Sequence, residues 1–195
     1  MAAARLTFEQ ECSRPELRYL SQAYIDRWDP KNDERQQSDI EPDRAAAGFS
    51  GAGELRRKLV RALRAAGARL LLGSDTPNPF VIPGVSIHDE LSLLVEAGLS
   101  PYEALRAGTR DAAEFLGALD EFGTVAPGLR ADLILVDENP LENVGSVGSR
   151  SGVMVRGQWF PEAELQSMLE DVATAAHDAP GDPGSVTTHS ALRAP

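Results

Sequence analysis

Residues 69–79 read RLLLGSDTPNP, and this stretch decides the fold class. Its continuous apolar run is typical of a short strand that is buried on both faces of a parallel sheet. The run ends at Asp75, in front of a loop that contains two prolines. An acidic residue at the end of a buried strand is either a local turn former or part of a site. Because Asp followed by Thr-Pro-Asn-Pro readily forms an Asx-turn, the local sequence favours the turn former over the site residue.

Helical patterns flank this stretch on both sides. Before it, residues 51–67 carry leucines at helical spacing with arginines and a lysine between them, which predicts an amphipathic helix whose charged face is solvated. After it, SIHDELSLLVEAG, SPYEALRAG and TRDAAEFLG predict three short helices. Their N-caps are expected at Ser86, Ser100 and Thr109. Helix, tight turn and buried strand together make half of an α/β repeat.

From residue 120 onward the pattern changes from helices to strands. ADLILVD predicts one strand, and residues 152–160 predict a second, which Arg156 and Gly157 turn or bulge. Asp132 is expected to anchor the start of the first strand by accepting hydrogen bonds from backbone amides.

The composition excludes several classes of function. With 195 residues, of which 42% are apolar, the chain can bury one full domain or one domain and part of another. Thirty acidic against nineteen basic residues give a net charge of −11, which argues against binding to nucleic acids or to anionic membranes. The single cysteine, Cys12, indicates a reducing compartment. Without a signal peptide or an apolar run of about 18 residues, the expected location is the cytoplasm.

Four segments, in this order, carry a family resemblance: GSDTP, SIHDELSLLVEAGLSPYEALRAGTRDAAEFLG, GTVAPGLRADLILVDENPLENV and VMVRGQWF. Over residues 54–160 the chain resembles the C-terminal third of the amidohydrolase superfamily, in its imidazolonepropionase-like and prolidase-like subgroup. The resemblance implies an α/β fold. It would consist of the C-terminal part of a metal-dependent hydrolase (β/α)8 barrel plus the C-terminal half of the adjoining β-sandwich, a composite domain.

That architecture divides the chain into five segments. Residues 1–50 would form a loop-rich segment that precedes the last barrel strand, and residues 51–119 would form the last barrel βα units with their C-terminal helices. Residues 120–160 would form the sandwich strands. A terminal helix would cover residues 161–173, and a disordered tail would cover residues 174–195.

The resemblance also implies a chemistry. The family hydrolyses carbon–nitrogen bonds with metal-activated water, so the expected substrate is a small-molecule amide, non-peptide or dipeptide-like, and the expected cofactor is a divalent metal, usually zinc. Asp75 matches the aspartate at the end of the eighth barrel strand, which contacts the metal and shuttles the proton of the hydrolytic water. It is therefore the expected catalytic and metal-binding residue. His88 is an expected substrate contact, and a capping or loop-packing role is equally open.

Most residues that such a site requires are missing. A complete site needs a His-x-His pair, a lysine and two further histidines, whereas the chain has three histidines in all and no His-x-His. His177 and His189 fall in the expected tail, and Lys31 and Lys58 fall in a loop and on a polar helix face. One aspartate cannot hold a zinc ion that takes about four ligands. The isolated chain is therefore expected to retain no metal and to be inactive alone.

Two alternatives to an active hydrolase remain. The chain is either a truncated, non-catalytic homologue that serves as an interaction module, or the C-terminal piece of a split enzyme whose partner polypeptide carries the missing strands. In each case, an unpaired strand edge and helices without their barrel face are expected to expose large apolar patches. Self-association or a complementing chain would cover these patches.

Overall fold

The computed structural model describes residues 8–29, 42–76 and 78–179. Its helices are α1 (Phe8–Glu11), α2 (Gln22–Asp26), α3 (Pro42–Ala65), α4 (Ser86–Glu96), α5 (Pro101–Ala107), α6 (Arg110–Phe115) and α7 (Glu162–Asp178). Its strands are β1 (Leu133–Val136), β2 (Arg150–Val155) and β3 (Gln158–Pro161), and two 3-10 helices cover Pro15–Tyr19 and Val144–Gly148. The predictions for Lys31, for His189 and for the tail beyond residue 179 lie outside the described residues.

The segment 69–74 is extended, but it forms no strand ladder with any described residue. The expectation of a strand that is buried on both faces is therefore wrong for this structure, because a ladder needs a neighbouring strand. Within the described residues its one backbone hydrogen bond runs from the Leu72 N–H to the Ala107 carbonyl at 3.2 Å. Leu70 and Leu72 pack against the core, whereas Leu71 is 39% exposed. One face of the segment is thus covered and the other is open.

The core lies between α4, α5 and the 3-10 helix Val144–Gly148. Its buried members are Leu91, Leu94, Leu99, Ala104 and Val144. Val60 of α3 packs against this cluster together with Leu70 and Leu72. A smaller cluster joins the N-terminal segment to the loop before α4, and its buried members are Leu17, Trp28 and Ile82. The helices therefore support the segment 69–74 from its covered face.

The predicted N-cap is found at α5, but the residues predicted to cap α4 and α6 do not cap these helices. Ser100 and Glu103 form a complete capping box at the start of α5. Ser86 is the first residue of α4 rather than its cap, and its hydroxyl accepts a hydrogen bond from the backbone N–H four residues earlier at 2.8 Å. Thr109 precedes α6, but its hydroxyl donates at 2.8 Å to the carbonyl four residues earlier. Both hydroxyls therefore hydrogen-bond to backbone groups that precede them in the chain, and neither caps the helix that follows.

Replacing Glu103 with Gln tests the capping box. The Glu103 carboxylate accepts a hydrogen bond from the Ser100 N–H at 2.7 Å and one from Arg64 Nη2 at 2.8 Å. These bonds, the first above all, lower the pKa of Glu103 from 4.5 to about 2. A carboxyl group whose pKa falls on folding stabilises the folded state above its unfolded pKa and loses that effect towards its folded pKa. We expect Glu103→Gln to lower the free energy of unfolding by about 1 kcal/mol at neutral pH, measured by urea titration.

The difference between wild type and Glu103→Gln should shrink as the pH falls from 4.5 towards 2. Glu121→Gln is the matched control, because Glu121 is exposed and its side chain makes no hydrogen bond to a described residue. Equal losses in the two variants, or a difference that does not change with pH, would contradict this account.

Helix α3 is longer than predicted, and two arginines of its charged face bond to neighbouring residues. It begins at Pro42, so the expected boundary at residue 50 falls inside it. Arg61 Nε donates to the Ala97 carbonyl at 3.0 Å, and Arg64 pairs with Glu103. The side chains on the opposite face are Leu55, Leu59 and Leu63, which are 67%, 56% and 39% exposed. The arginines of this face other than Arg57 are exposed, as predicted, although Arg61 and Arg64 also hydrogen-bond to Ala97 and Glu103.

The three strands form an antiparallel sheet in the order β1, β2, β3. β1 lies within the predicted ADLILVD, but the predicted second strand is a hairpin. Its turn consists of Arg156 (φ 50°) and Gly157 (φ 83°), and positive φ at both positions is typical of a two-residue hairpin turn. Asp132 Oδ1 accepts a hydrogen bond from the Arg156 N–H at 2.7 Å, which confirms its predicted anchoring role.

Helix α7 continues to Asp178, beyond the expected end at residue 173. The prediction of a disordered tail is therefore wrong for residues 174–178, and His177 lies exposed on this helix. An ion pair between Arg18 and Glu170 joins α7 to the N-terminal 3-10 helix. No helix in the described part of the chain is long and apolar enough to cross a bilayer.

Candidate functional site

Asp75 lies at the carboxyl end of the extended segment 69–74. Leu70 and Leu72 pack against the core, whereas Leu71 and Asp75 are exposed. The Asp75 backbone has a φ of 57°, in the left-handed region that Asp and Asn tolerate better than most residues. Asp75 is thus an exposed residue at the point where the extended segment ends.

Helix α5 fixes the position of this segment through a close approach. Gly108 follows the helix, and a Cβ at this position would lie 2.6 Å from Leu72 Cδ2. The neighbouring Ala107 carbonyl accepts the hydrogen bond from the Leu72 N–H. A Cβ here would force the Leu72 side chain to shift, so the end of α5 and the extended segment lie in close contact.

Asn78 orients the Asp75 carboxylate. Its Nδ2 donates to Asp75 Oδ2 at 2.8 Å and to the Asp75 carbonyl at 2.9 Å. Asp75 is therefore part of a local turn, as one of the two interpretations of the sequence expects. Asp75 Oδ1 makes no hydrogen bond to a described residue, so this oxygen can still accept a proton or a ligand. Asn78 was missed in the sequence, where its signal is an amide side chain three residues after the aspartate.

His88 lies in the first turn of α4 and is half-buried. It lines two cavities of about 360 and 490 Å³, and Arg150, which the sequence did not single out, lines both as well. His88 Nδ1 is buried without a hydrogen-bond partner among the described residues. Since a buried nitrogen left unpaired costs free energy, a ligand that pairs with it would gain affinity. Asp75 lines neither cavity, so the structure does not bring the two predicted site residues together.

The described residues do not form a metal site by themselves. Among them, no group of three or more His, Cys, Asp or Glu side chains is placed to hold an ion. Lys58 lies on α3 and His177 on α7, whereas Asp75 ends the extended segment. A single carboxylate does not fit an ion such as zinc, which takes about four ligands.

The shifted pKa values of this protein belong mostly to structural groups. The backbone N–H of Arg156, and then the side chain of Arg130, lower the pKa of Asp132. Burial raises the pKa of Glu90 on α4. Asp132 and Glu103 both accept hydrogen bonds from backbone amides. Their lowered pKa values therefore reflect a turn and a helix cap, and they do not indicate a catalytic site.

Comparisons with known proteins give one consistent family. The family model described as "Amidohydrolase family" matches residues 20–160. Adenine deaminase of Bacillus subtilis (strain 168) is 37% identical over 93 residues, which are 48% of this chain and 15% of that protein. Imidazolonepropionase of Maricaulis maris (strain MCS10) is 35% identical over 115 residues, which are 57% of this chain and 28% of that protein.

The chain is also similar in fold to a solved structure. Bottromycin amidohydrolase is 30% identical with a TM-score of 0.62, over 90% of this chain and 38% of that one. The shared architecture is the α/β fold of metal-dependent hydrolases. The chain spans 15% and 28% of the lengths of the two curated relatives and a minor part of the solved one.

Proposed function

The chain belongs to the amidohydrolase family, and from this premise we propose that it forms the C-terminal part of an enzyme that hydrolyses carbon–nitrogen bonds. The substrate would be a small-molecule amide, either non-peptide or dipeptide-like. The similarity to an imidazolonepropionase and an adenine deaminase supports this class of reaction. The activity is proposed for the complete enzyme, and the chain alone is expected to be inactive.

One observation carries the proposal: Asp75 ends an extended segment that forms no strand ladder with any described residue, and Leu71 of this segment is 39% exposed. In a (β/α)8 barrel, one face of each strand fills the interior, and the active site lies at the carboxyl ends of the strands. Closing a barrel around the segment 69–74 would turn Leu71 inward and would place Asp75 at the mouth. The other strands would then come from outside this chain.

In such a barrel Asp75 would act as a metal contact and as a proton shuttle. Asn78 holds Oδ2, so Oδ1 would take the proton of the hydrolytic water and later return it to the leaving amine. A divalent metal, expected to be zinc, would supply the activation of that water when it is bound in the complete enzyme. Its other ligands would have to come from outside the described residues, because these supply one carboxylate.

A chimera tests this function. The region of Maricaulis maris imidazolonepropionase that matches this chain is replaced by the matching residues of this chain. We expect the chimera to hydrolyse imidazolonepropionate, to lose the activity when a chelator removes the metal and to regain it on addition of Zn²⁺. A folded chimera that binds metal without hydrolysing the substrate would contradict the proposal.

A non-catalytic interaction module is the second candidate. It is favoured by the lack of a metal-binding group among the described side chains. A chimera that folds, binds no metal and hydrolyses nothing would favour this candidate over the enzyme.

Replacing His88 with Ala in the active chimera tests the proposed substrate contact. His88 Nδ1 is buried, unpaired within the described residues and borders a cavity. Loss of one hydrogen bond to substrate should raise KM about tenfold and leave kcat and the melting temperature nearly unchanged. A lower melting temperature with an unchanged KM would instead assign His88 a loop-packing role.

A further inference from the structure

The loop after Asp75 contains two consecutive turns that share Asn78. The Asn78 N–H donates to the Asp75 carbonyl at 3.3 Å, and the Val81 N–H donates to the Asn78 carbonyl at 3.0 Å. The side chain of Asn78 also donates to Asp75 Oδ2 at 2.8 Å. The backbone position of Asn78 therefore determines where its side-chain amide holds the Asp75 carboxylate.

Phe80, in the second of these turns, has a strained backbone. Its φ is 62°, in the left-handed region that bulky residues rarely adopt. Because Asp75 also has a positive φ of 57°, Asn78 lies between two residues in this region. Such conformations persist only where the surrounding structure holds them. Contacts of the Phe80 side chain must therefore offset the strain.

Trp28, far from Phe80 in sequence, supplies such a contact. The two ring centroids are 5.0 Å apart, and the ring planes are tilted by 55°. Trp28 is 6% exposed and lies in a cluster with Leu17 and Ile82. The ring of Tyr24 meets it edge-on, with 5.3 Å between the centroids. A ring that is packed on several sides has little freedom to move, so it is a rigid support for Phe80.

We propose that Trp28 is a positioning residue for Asp75. By holding Phe80 in its left-handed conformation, Trp28 fixes the turn to which Asn78 belongs, and through Asn78 it orients the carboxylate. Trp28 acts only through the loop and contacts no reacting group. The catalytic consequence rests on the proposed function, whereas the effect on the loop can be measured in the free chain.

A purely structural role for Trp28 makes a different prediction. Trp28 belongs to a hydrophobic cluster, so its removal destabilises the chain in either case. A loss of stability therefore does not distinguish the two roles. The distinguishing results are a loop that loosens while the rest of the chain stays folded, and an effect that depends on Phe80.

Hydrogen exchange in the full chain, followed by NMR, measures the loosening of the loop. Trp28→Leu should speed exchange of the Asn78 and Val81 amides about tenfold or more, because both amides donate within the two turns. Trp28→Phe keeps a ring against Phe80 and should restore most of the protection. Leu94→Ala is the matched control, since Leu94 is 5% exposed but belongs to the other hydrophobic cluster. It should lower the melting temperature and leave both exchange rates near those of wild type.

A double variant shows whether Trp28 acts through Phe80. Phe80→Gly removes the ring that Trp28 contacts, and glycine adopts a φ of 62° without strain. Phe80 is half-buried, so this variant should fold, and it should speed exchange of the Val81 amide at least as much as Trp28→Leu. Adding Trp28→Leu to Phe80→Gly should then give no further increase, because the two rings act as one unit.

The catalytic consequence is measured in a chimera. Residues 20–160 of this chain, the range of the family match, replace the corresponding part of Maricaulis maris imidazolonepropionase. Trp28→Leu should lower kcat about tenfold and leave KM nearly unchanged, because the carboxylate is misplaced while the contacts to substrate remain. Trp28→Phe should restore most of the lost kcat.

Three results would overturn the proposal. They are wild-type exchange at Val81 in both Trp28→Leu and Phe80→Gly, additive effects in the double variant, and a wild-type kcat in Trp28→Leu when Asp75→Asn is inactive. If Asp75→Asn instead keeps full activity, the proposed proton shuttle is wrong. The exchange rates then still decide whether Trp28 fixes the loop.

Discussion

Replacing Asp75 with Asn in the imidazolonepropionase chimera is expected to lower kcat/KM by about a thousandfold, within the range of roughly 10²–10⁴ that acid–base groups contribute. Asn keeps the shape of Asp and tolerates a φ of 57°, and its side-chain oxygen can still accept the hydrogen bond from Asn78. It cannot take a proton from water near neutral pH. The activity should therefore fall while the melting temperature stays the same.

Two further variants separate proton transfer from turn formation. Asp120→Asn is the matched control and should have no effect, because Asp120 is exposed and its side chain makes no hydrogen bond to a described residue. Asn78→Ala should cost about tenfold in rate, since the carboxylate loses the partner that orients it. If Asp75→Asn hydrolyses substrate at the parental rate, Asp75 is a turn residue and the proposed proton shuttle is wrong.

A large loss of stability is expected from Gly123→Ala, at about 3 kcal/mol or more in urea unfolding followed by circular dichroism. Gly123 has a φ of 98°, and a Cβ there would lie 2.6 Å from Ala113 Cβ and 3.1 Å from the Thr109 carbonyl oxygen. Ala113 is fully buried in α6, so neither contact can relax without moving the helix. The free-energy costs of the strained backbone and of the steric overlap therefore add.

Gly117→Ala is the control that isolates backbone strain. Gly117 also has a positive φ of 70°, but nothing lies within 4 Å of the Cβ position. Its replacement should cost about 1–2 kcal/mol, the price of the left-handed conformation alone. Equal losses at Gly117 and Gly123 would show that the connection between α6 and β1 adapts to the added methyl group.

Features that depend on residues close in sequence were predictable. The capping box of Ser100 and Glu103 spans four residues, and the turn at Arg156 and Gly157 spans two, so local propensity is enough to specify each. Asp132 reaches further, to the Arg156 N–H, but the hairpin brings that amide to the strand start. The ordered motifs also predicted the family, which the match over residues 20–160 confirms.

Features that depend on partners in space were predicted poorly. Periodicity predicts that α3 has a leucine face and an arginine face, but it does not show which groups each face contacts. The helix pairs Arg61 and Arg64 with acceptors on α4 and α5, and it leaves Leu59 exposed. A repeat of four residues reveals that two faces differ, and it contains no information on which face meets another element.

The candidate site divides in the same way. The sequence alone showed that Asp75 ends an apolar segment, because an apolar run and its end are properties of neighbouring residues. The ordered motifs of the sequence also indicated the chemistry of the family. The fold in space determined that Asn78 holds the carboxylate, that His88 lines two cavities that Asp75 does not line, and that Leu71 is exposed. These facts depend on which distant groups come within a few ångströms, and pairing and burial over such distances follow from packing rather than from local sequence.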